Sequence, residues 1–241
     1  MTSWQGTLVL IQYDMRRSWI GLILSFVFFS YVSLIILPVM PNFLEADPAT
    51  ALDNWLVDFF YLSLIPCMGF LITQNNIKFW KTDPVKDRIA YLRTLPVPMN
   101  TIVISRMIQM LIFFLIIAIC FFTSQYLISS DLQAMLSPYE FIAFALTWIG
   151  YGLAVSSTYV YFEMGVGGKA YPIACILYLL VYVLVTLLLW LNNISVMKYT
   201  LDAARDHHLL LPVCMLIFGF LTIPAIGWLV KKRLDASNLV Q

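Results

Sequence analysis

Six long runs without charged residues dominate the chain, and short polar stretches separate them. The runs are Ser18–Leu44, Phe59–Ile77, Met107–Ser130, Phe141–Phe162, Ala170–Met197 and Leu209–Val230. A helix needs ~20 residues to cross the hydrocarbon core of a bilayer, and all six runs are long enough. The pattern predicts an all-α membrane protein with one transmembrane domain over residues 1–241. We place its six transmembrane helices at 18–40, 56–77, 103–129, 141–162, 170–195 and 209–230.

The composition excludes two other classes of protein. Hydrophobic residues make up 61% of the chain and charged residues 11%, whereas a soluble domain has about 45–50% and 25%. A disordered chain would be less hydrophobic and more highly charged. The formal net charge of +1 gives no basic excess, so we expect no nucleic-acid partner.

The distribution of charge predicts the orientation in the membrane. Of the 14 Lys and Arg residues, 12 fall in the N-terminal tail, the second and fourth loops and the C-terminal tail. The positive-inside rule then places both termini in the cytoplasm. The acidic residues on the opposite side are Glu45, Asp47, Asp53, Asp58, Asp131, Glu140, Asp202 and Asp206. They could bind a cation, or they could simply form an outer surface without positive charge.

The N-terminal residues 3–17 have the pattern of an amphipathic helix. The apolar side chains that share one helical face are Trp4, Leu8, Ile11 and Met15. Such a stripe predicts an interfacial helix that lies on the inner leaflet and turns into the first span. The alternative is a simple extension of the first span, but Asp14, Arg16 and Arg17 argue against burial in lipid.

The longest hydrophilic stretch, residues 78–102, predicts a structured hairpin on the cytoplasmic side. Asp83-Pro84 is a good helix start, because Asp can cap the helix and proline fits its first position. The prolines at 96 and 98 end that helix. Its short apolar stripe consists of Val85, Ile89 and Leu92. The hairpin is either a docking element for a cytosolic protein or an ordinary lipid-contacting loop.

The apolar runs hold little recognisable chemistry. No ionisable residue lies deep within them, which disfavours transport coupled to protons or ions. The sequence Gly165–Lys169 resembles a phosphate-binding loop, but Glu163 replaces its first glycine and Ala170 replaces the Ser or Thr after the lysine. We therefore expect no catalytic residue, no cofactor site and no metal site in this chain.

The cytoplasmic hairpin and the residues after it resemble a known family. Asp87–Pro98, followed by Ile102–Arg106, is similar to the segment between the second and third spans of ABC-2 type permeases, the membrane subunits of many bacterial ABC exporters. That segment has a Leu-Pro pair after Arg and Ser or Thr, as in Arg93–Pro96 here. Six spans, an N-terminal interfacial helix and inward termini also match. Lys198–His208, before the last span, is shorter than in many relatives.

The resemblance implies a function and partners. The chain would be the permease subunit of a bacterial plasma-membrane exporter, and would move a hydrophobic or amphiphilic peptide, drug or lipid out of the cell. It would pair with a second copy or a similar permease, contact membrane lipid, and bind separate cytosolic ABC ATPase subunits that hold ATP and Mg. The family's coupling helix would correspond to about Asp83–Thr94. The implied docking residues are Val85, Arg88, Ile89, Tyr91, Leu92 and Arg93. The alternative is a membrane-embedded enzyme or accessory subunit with an unrecognised site.

Overall fold

The computed structural model describes residues 3–36, 51–70, 89–91, 98–166 and 170–236, and these ranges contain helices but no strand. The helices in chain order are α1 (Ser3–Ile36), α2 (Ala51–Leu64), α3 (Met99–Ile128), α4 (Ser130–Met135), α5 (Pro138–Val160), α6 (Ala170–Leu191), α7 (Val196–Arg205) and α8 (Leu210–Ala236). Two of them change their winding at the end. A 3-10 turn, Ile65–Gly69, follows α2, and a π-helical turn, Tyr161–Val166, follows α5.

Five helices of the described part are long and apolar enough to cross a membrane: α1, α3, α5 with its π-helical turn, α6 and α8. The shortest, α6, has 22 residues and so extends about 33 Å, against a hydrocarbon core of ~30 Å. The prediction of a helical, multi-pass membrane architecture is therefore confirmed. The second predicted span, 56–77, corresponds to the shorter apolar helix Trp55–Gly69, and residues 71–77 lie outside the described part.

Proline explains why α2 ends early. Pro66 has no backbone N–H for an α-helical hydrogen bond, and the α-helix gives way to the 3-10 turn one residue before it. The hydroxyl of Ser156 on α5 donates a 2.6 Å hydrogen bond to the Pro66 carbonyl oxygen. The turn is thereby fixed against the neighbouring helix within the bundle.

Helix α1 is continuous and turns its small and polar residues inward. It runs through residues 17 and 18 without a break, and its 34 residues extend about 51 Å. That length accommodates a span together with the extramembrane segment predicted for residues 3–17. The buried positions recur every three or four residues, with one step of seven after Asp14. They are Thr7, Ile11, Asp14, Gly21, Ser25, Phe29, Ser33 and Ile36. This pattern is typical of membrane helices, whose interfaces favour small and polar side chains.

The apolar stripe predicted near the N-terminus is only partly on one surface. Trp4, Leu8 and Met15 are exposed on the outside of α1, whereas Ile11 is buried. The reason is geometric, because Ile11 lies at the edge of the stripe that is nearest to the inward-facing Thr7. Whether this segment lies on a lipid leaflet remains a prediction.

Helices α5 and α8 cross at two glycines. Gly150 and Gly219 lie against each other's helices so closely that a Cβ atom on either would collide with backbone of the other helix. At Gly150 the added Cβ would lie 2.6 Å from the backbone nitrogen of Leu216. Gly150, within the fourth predicted span, therefore permits a close approach of the two helices.

The two ends of the bundle differ. One end, which we call the α7 end, contains α4, α7 and an aromatic core in which Tyr61 packs against Phe121, Phe144 and Trp148. The other end, which we call the Ile89 end, contains residues 89–91, the start of α3 and the end of α8.

Candidate functional site

The described part of the predicted docking segment is attached to the helix bundle. Ile89 is only 2% exposed, and it belongs to a cluster of buried side chains from α3, α5, the π-helical turn and α8. The other members of this Ile89 cluster are Ile102, Val103, Met107, Met110, Val160, Met164, Val230 and Leu234. Ile89 therefore attaches the described part of this segment to the bundle.

The remaining predicted docking residues divide into two groups. Tyr91 is 65% exposed, so it lies on the surface that a partner could reach. The others lie outside the described residues: Val85, Arg88, Leu92 and Arg93. Direct docking by these side chains and by Ile89 remains a prediction.

The start of α1 lies at the same end of the bundle. Leu10 packs against the Ile89 cluster, and a Cβ atom added at Gly6 would lie 3.5 Å from Thr101 on α3. The end of α8 contributes Val230 and Leu234 to the same cluster. The first and last described helices thus meet beside the docking segment. The assignment of this end to the cytoplasm rests on the charge pattern.

An ion pair joins α3 to the end of α5 near the Ile89 cluster. Arg106 Nη2 lies 2.7 Å from Glu163 Oε2 and 3.0 Å from Oε1, and Arg106 Nε lies 3.1 Å from Oε2. The two side chains are 19% and 13% exposed. Such a charge-assisted, multiply bonded pair is among the stronger polar contacts in proteins. The π-helical turn positions Glu163 for it.

Arg106 has further partners that extend the site. Its Nη1 donates a 3.3 Å hydrogen bond to Gln109 Oε1, and its guanidinium carbon lies 5.8 Å from the centre of the Phe70 ring. Asp14 of α1 is close enough to interact with Arg106 electrostatically. One arginine therefore connects α1, α3, the end of α2 and the π-helical turn.

Sequence reasoning missed this pair. In the sequence, Glu163 stands out only as the residue in place of the first glycine of a phosphate loop, and Arg106 as the last residue of the segment that resembles the permease family. Both residues stand at the boundaries of apolar runs on the same predicted side of the membrane, with opposite charges. That coincidence was the available clue, but only the packing of α3 beside α5 makes the two residues neighbours.

A cavity lies beside Phe70 and opens at the surface of the bundle, where its lining residues Phe28 and Leu179 are exposed. Its volume is about 250 Å³, and α1, α2, α5 and α6 surround it. The lining residues are Phe28, Phe29, Ser63, Cys67, Phe70, Tyr159, Tyr171, Cys175, Leu179 and Tyr182. These residues present aromatic faces, hydroxyls and thiols, without a charged group. The chemistry suits an uncharged or amphiphilic molecule with apolar surface, and disfavours a small ion.

At the α7 end a buried carboxylate caps a helix. Asp58 of α2 accepts hydrogen bonds from the backbone N–H groups of Met197 at 2.8 Å and Val196 at 3.2 Å, and from the Ser195 hydroxyl at 3.2 Å. A carboxylate is favoured at a helix N-terminus, where unpaired N–H groups point outward. Asp58, predicted as one of the outer acidic residues, therefore serves to attach α7 to α2.

Candidate cation ligands are sparse. Within the part of the chain that the structure describes, no group of three or more His, Cys, Asp or Glu side chains could hold a metal ion. Glu140 instead completes a capping box with Ser137 at the start of α5. His207, at the turn before α8, lies 3.9 Å from Glu140.

Comparisons of the chain with protein-family models, with curated proteins and with solved structures find no match. What the chain does is therefore inferred from its own residues and their arrangement.

Proposed function

We propose that this chain is the permease subunit of an ATP-driven exporter, of the ABC-2 type, in a bacterial plasma membrane. Separate cytosolic ATPase subunits bind ATP and Mg, and a second copy or a similar permease completes the transporter. The observation that carries the proposal is the burial of Ile89 in a cluster formed by three apolar helices. A partner that moves the docking segment would move these helices with it.

The contacts around Ile89 supply a route for that movement. The described part of the chain resumes at residue 98, and α3 begins at Met99, close to Ile89 in sequence and in space. Arg106, two turns into α3, is bonded to Glu163 at the end of α5. A displacement at the docking segment would therefore reach α5 through a rigid helix and a short, directional ion pair.

The cavity supports a hydrophobic or amphiphilic substrate. Phe70 borders the cavity on one side and lies beneath the Arg106 guanidinium on the other. The substrate space is thus adjacent to the ion pair on the proposed route. Its aromatic, hydroxyl-bearing walls offer stacking and single hydrogen bonds, which suit peptides, drugs or lipids better than small ions.

Co-purification tests the proposal. The tagged chain would be purified from its native membranes in mild detergent, and the accompanying chains identified. We expect an ATPase with a phosphate loop to accompany it and the complex to hydrolyse ATP, whereas the permease alone does not. Arg88→Glu with Arg93→Glu should remove the ATPase, because two reversals change the charge of the docking surface by four units.

A matched control separates docking from general damage. Arg16→Glu with Arg17→Glu makes the same change of charge on the exposed surface of α1, and we expect it to leave co-purification unchanged. Membrane expression must be equal for all variants. If no ATPase accompanies the wild-type chain, or if the docking variant retains it fully, the proposal is wrong. A membrane-embedded enzyme or accessory subunit would then be the better interpretation.

A further inference from the structure

A groove of about 380 Å³ opens on the surface of the bundle between α3 and α8. It is separate from the cavity described above. The lining residues are Asn100, Val103, Ile104, Met107, Ile108, Leu111, Ile223, Pro224, Gly227, Trp228 and Lys231. The lining extends along α3 from Asn100 to Leu111 and along α8 from Ile223 to Lys231, which correspond to about 16 Å and about 12 Å. The groove is therefore long enough for most of one acyl chain.

The groove has an apolar body and a basic end. Lys231 lines it at the Ile89 end, together with Asn100 and Trp228. The Nζ atom of Lys232 lies 5.2 Å from the centre of the Trp228 ring, so a second cation stands next to the first. Trp228 is itself exposed, as is common for tryptophan at the level of lipid headgroups. The residues that line the groove include no acidic side chain.

We propose that this groove binds an anionic phospholipid. One acyl chain lies along the apolar body between α3 and α8, and the phosphate lies at Lys231 and Lys232. Basic residues at the end of an apolar groove between membrane helices match the two halves of such a lipid. This inference is independent of the proposed transport function, because it requires only that the helices lie in a bilayer.

Charge argues against a second copy of the chain as the occupant. In the described ranges, the exposed acidic side chains are largely at the α7 end, such as Asp131 and Asp202, while Glu163 is paired with Arg106. Asp235 is the exception at the Ile89 end, and it belongs to α8 itself, one turn beyond Lys231. The described ranges of a second copy would therefore offer little negative charge at the depth of the groove, whereas an anionic lipid leaflet offers it everywhere.

Quenching of tryptophan fluorescence tests the site directly. The chain would be reconstituted in vesicles of phosphatidylcholine containing a small fraction of lipid with brominated acyl chains, either phosphatidylglycerol or phosphatidylcholine. The chain has seven tryptophans, so the difference between wild type and Trp228→Phe isolates the signal of Trp228. We expect brominated phosphatidylglycerol to quench this signal more strongly at equal mole fraction.

Two variants separate the headgroup from the groove. Lys231→Gln should lower the affinity ratio of phosphatidylglycerol to phosphatidylcholine about fivefold, since a lysine near a lipid surface contributes ~1 kcal/mol. Gly227→Leu should weaken quenching by both lipids, because a Cβ atom there already lies 3.8 Å from Met107 Cγ and a larger side chain fills the groove. Gly227→Ala, which makes only ordinary contacts, is the matched control and should behave like wild type.

Three results would overturn the proposal. Equal quenching by the two brominated lipids in wild type would show that no headgroup is selected. A preference that survives Lys231→Gln combined with Lys232→Gln would place the anionic site elsewhere. Absence of Trp228 quenching by either lipid would show that protein, such as a second copy, covers the groove.

Discussion

The ion pair between Arg106 and Glu163 provides the sharpest test of the packing at the Ile89 end. Glu163→Ala would remove the acceptor of all three hydrogen bonds between 2.7 and 3.1 Å and leave the arginine without its hydrogen-bonded carboxylate. Removal of one partner of a buried pair typically costs ~3–5 kcal/mol. The lower part of that range applies here, because Gln109 and the Phe70 ring still contact the guanidinium.

A cost of about 3 kcal/mol gives a measurable shift in thermal stability. At 2–4 °C per kcal/mol for a chain of this size, Glu163→Ala should lower Tm by about 6–12 °C. Glu163→Gln should lie between wild type and Glu163→Ala, since its amide oxygen still accepts a hydrogen bond. The double change Arg106→Leu with Glu163→Leu should be less harmful than Glu163→Ala, because it removes both charges of the hydrogen-bonded pair together.

Thermal unfolding in one detergent, followed by tryptophan fluorescence, would measure all these variants. The informative quantity is the non-additivity of the single and double changes. If Arg106→Leu and Glu163→Leu lower Tm independently, so that the double variant shows the sum of the two shifts, the side chains are not coupled. The pair would then be no link between α3 and the π-helical turn.

Three further predictions concern other parts of the molecule. Asp58→Ala should lower Tm and increase proteolysis near α7, because the backbone N–H groups at the start of that helix lose their acceptor. Asp58→Asn, which keeps an oxygen, should have a smaller effect, and equal effects of the two variants would contradict the capping role. Gly150→Ala should lower Tm much more than Gly227→Ala, since only the first places a Cβ against backbone of α8; similar shifts would refute the close crossing. In a background without the four native cysteines, Asp202→Cys should react with an impermeant maleimide in intact cells and Asp235→Cys should not, and the reverse pattern would overturn the orientation.

The spanning helices could be predicted because charge is excluded from lipid. The expected starts at 103, 141, 170 and 209 lie within four residues of the observed helix starts. The early end of α2 follows from Pro66, which local sequence also exposes. These features depend on a few neighbouring residues and the thickness of a bilayer, so a single sequence is sufficient for them.

The contacts between helices could not be predicted in the same way. The stripe at the start of α1 predicts that Trp4, Leu8, Ile11 and Met15 lie together on the inner leaflet, but it does not reveal that Ile11 is buried in the bundle. In this bundle Thr7 and Asp14 point inward, while Trp4 and Leu8 are exposed. The partnership of Arg106 with Glu163, 57 residues apart in sequence, depends on which helices are adjacent. Neither the direction of a face nor the choice of neighbour is encoded in the length of an apolar run.

The glycine crossing between α5 and α8 divides the bundle mechanically. At this crossing the two backbones touch, with no side chains between them that could slide or repack. Helices α5 and α8 should therefore move together as one rigid unit. Helix α6 lacks such a crossing in the described part, and most of its side chains are exposed. The tyrosine-lined cavity lies between the end of α5 and α6. Because α5 is held against α8, widening of the cavity would require displacement of α6, α1 or α2, which form its other walls.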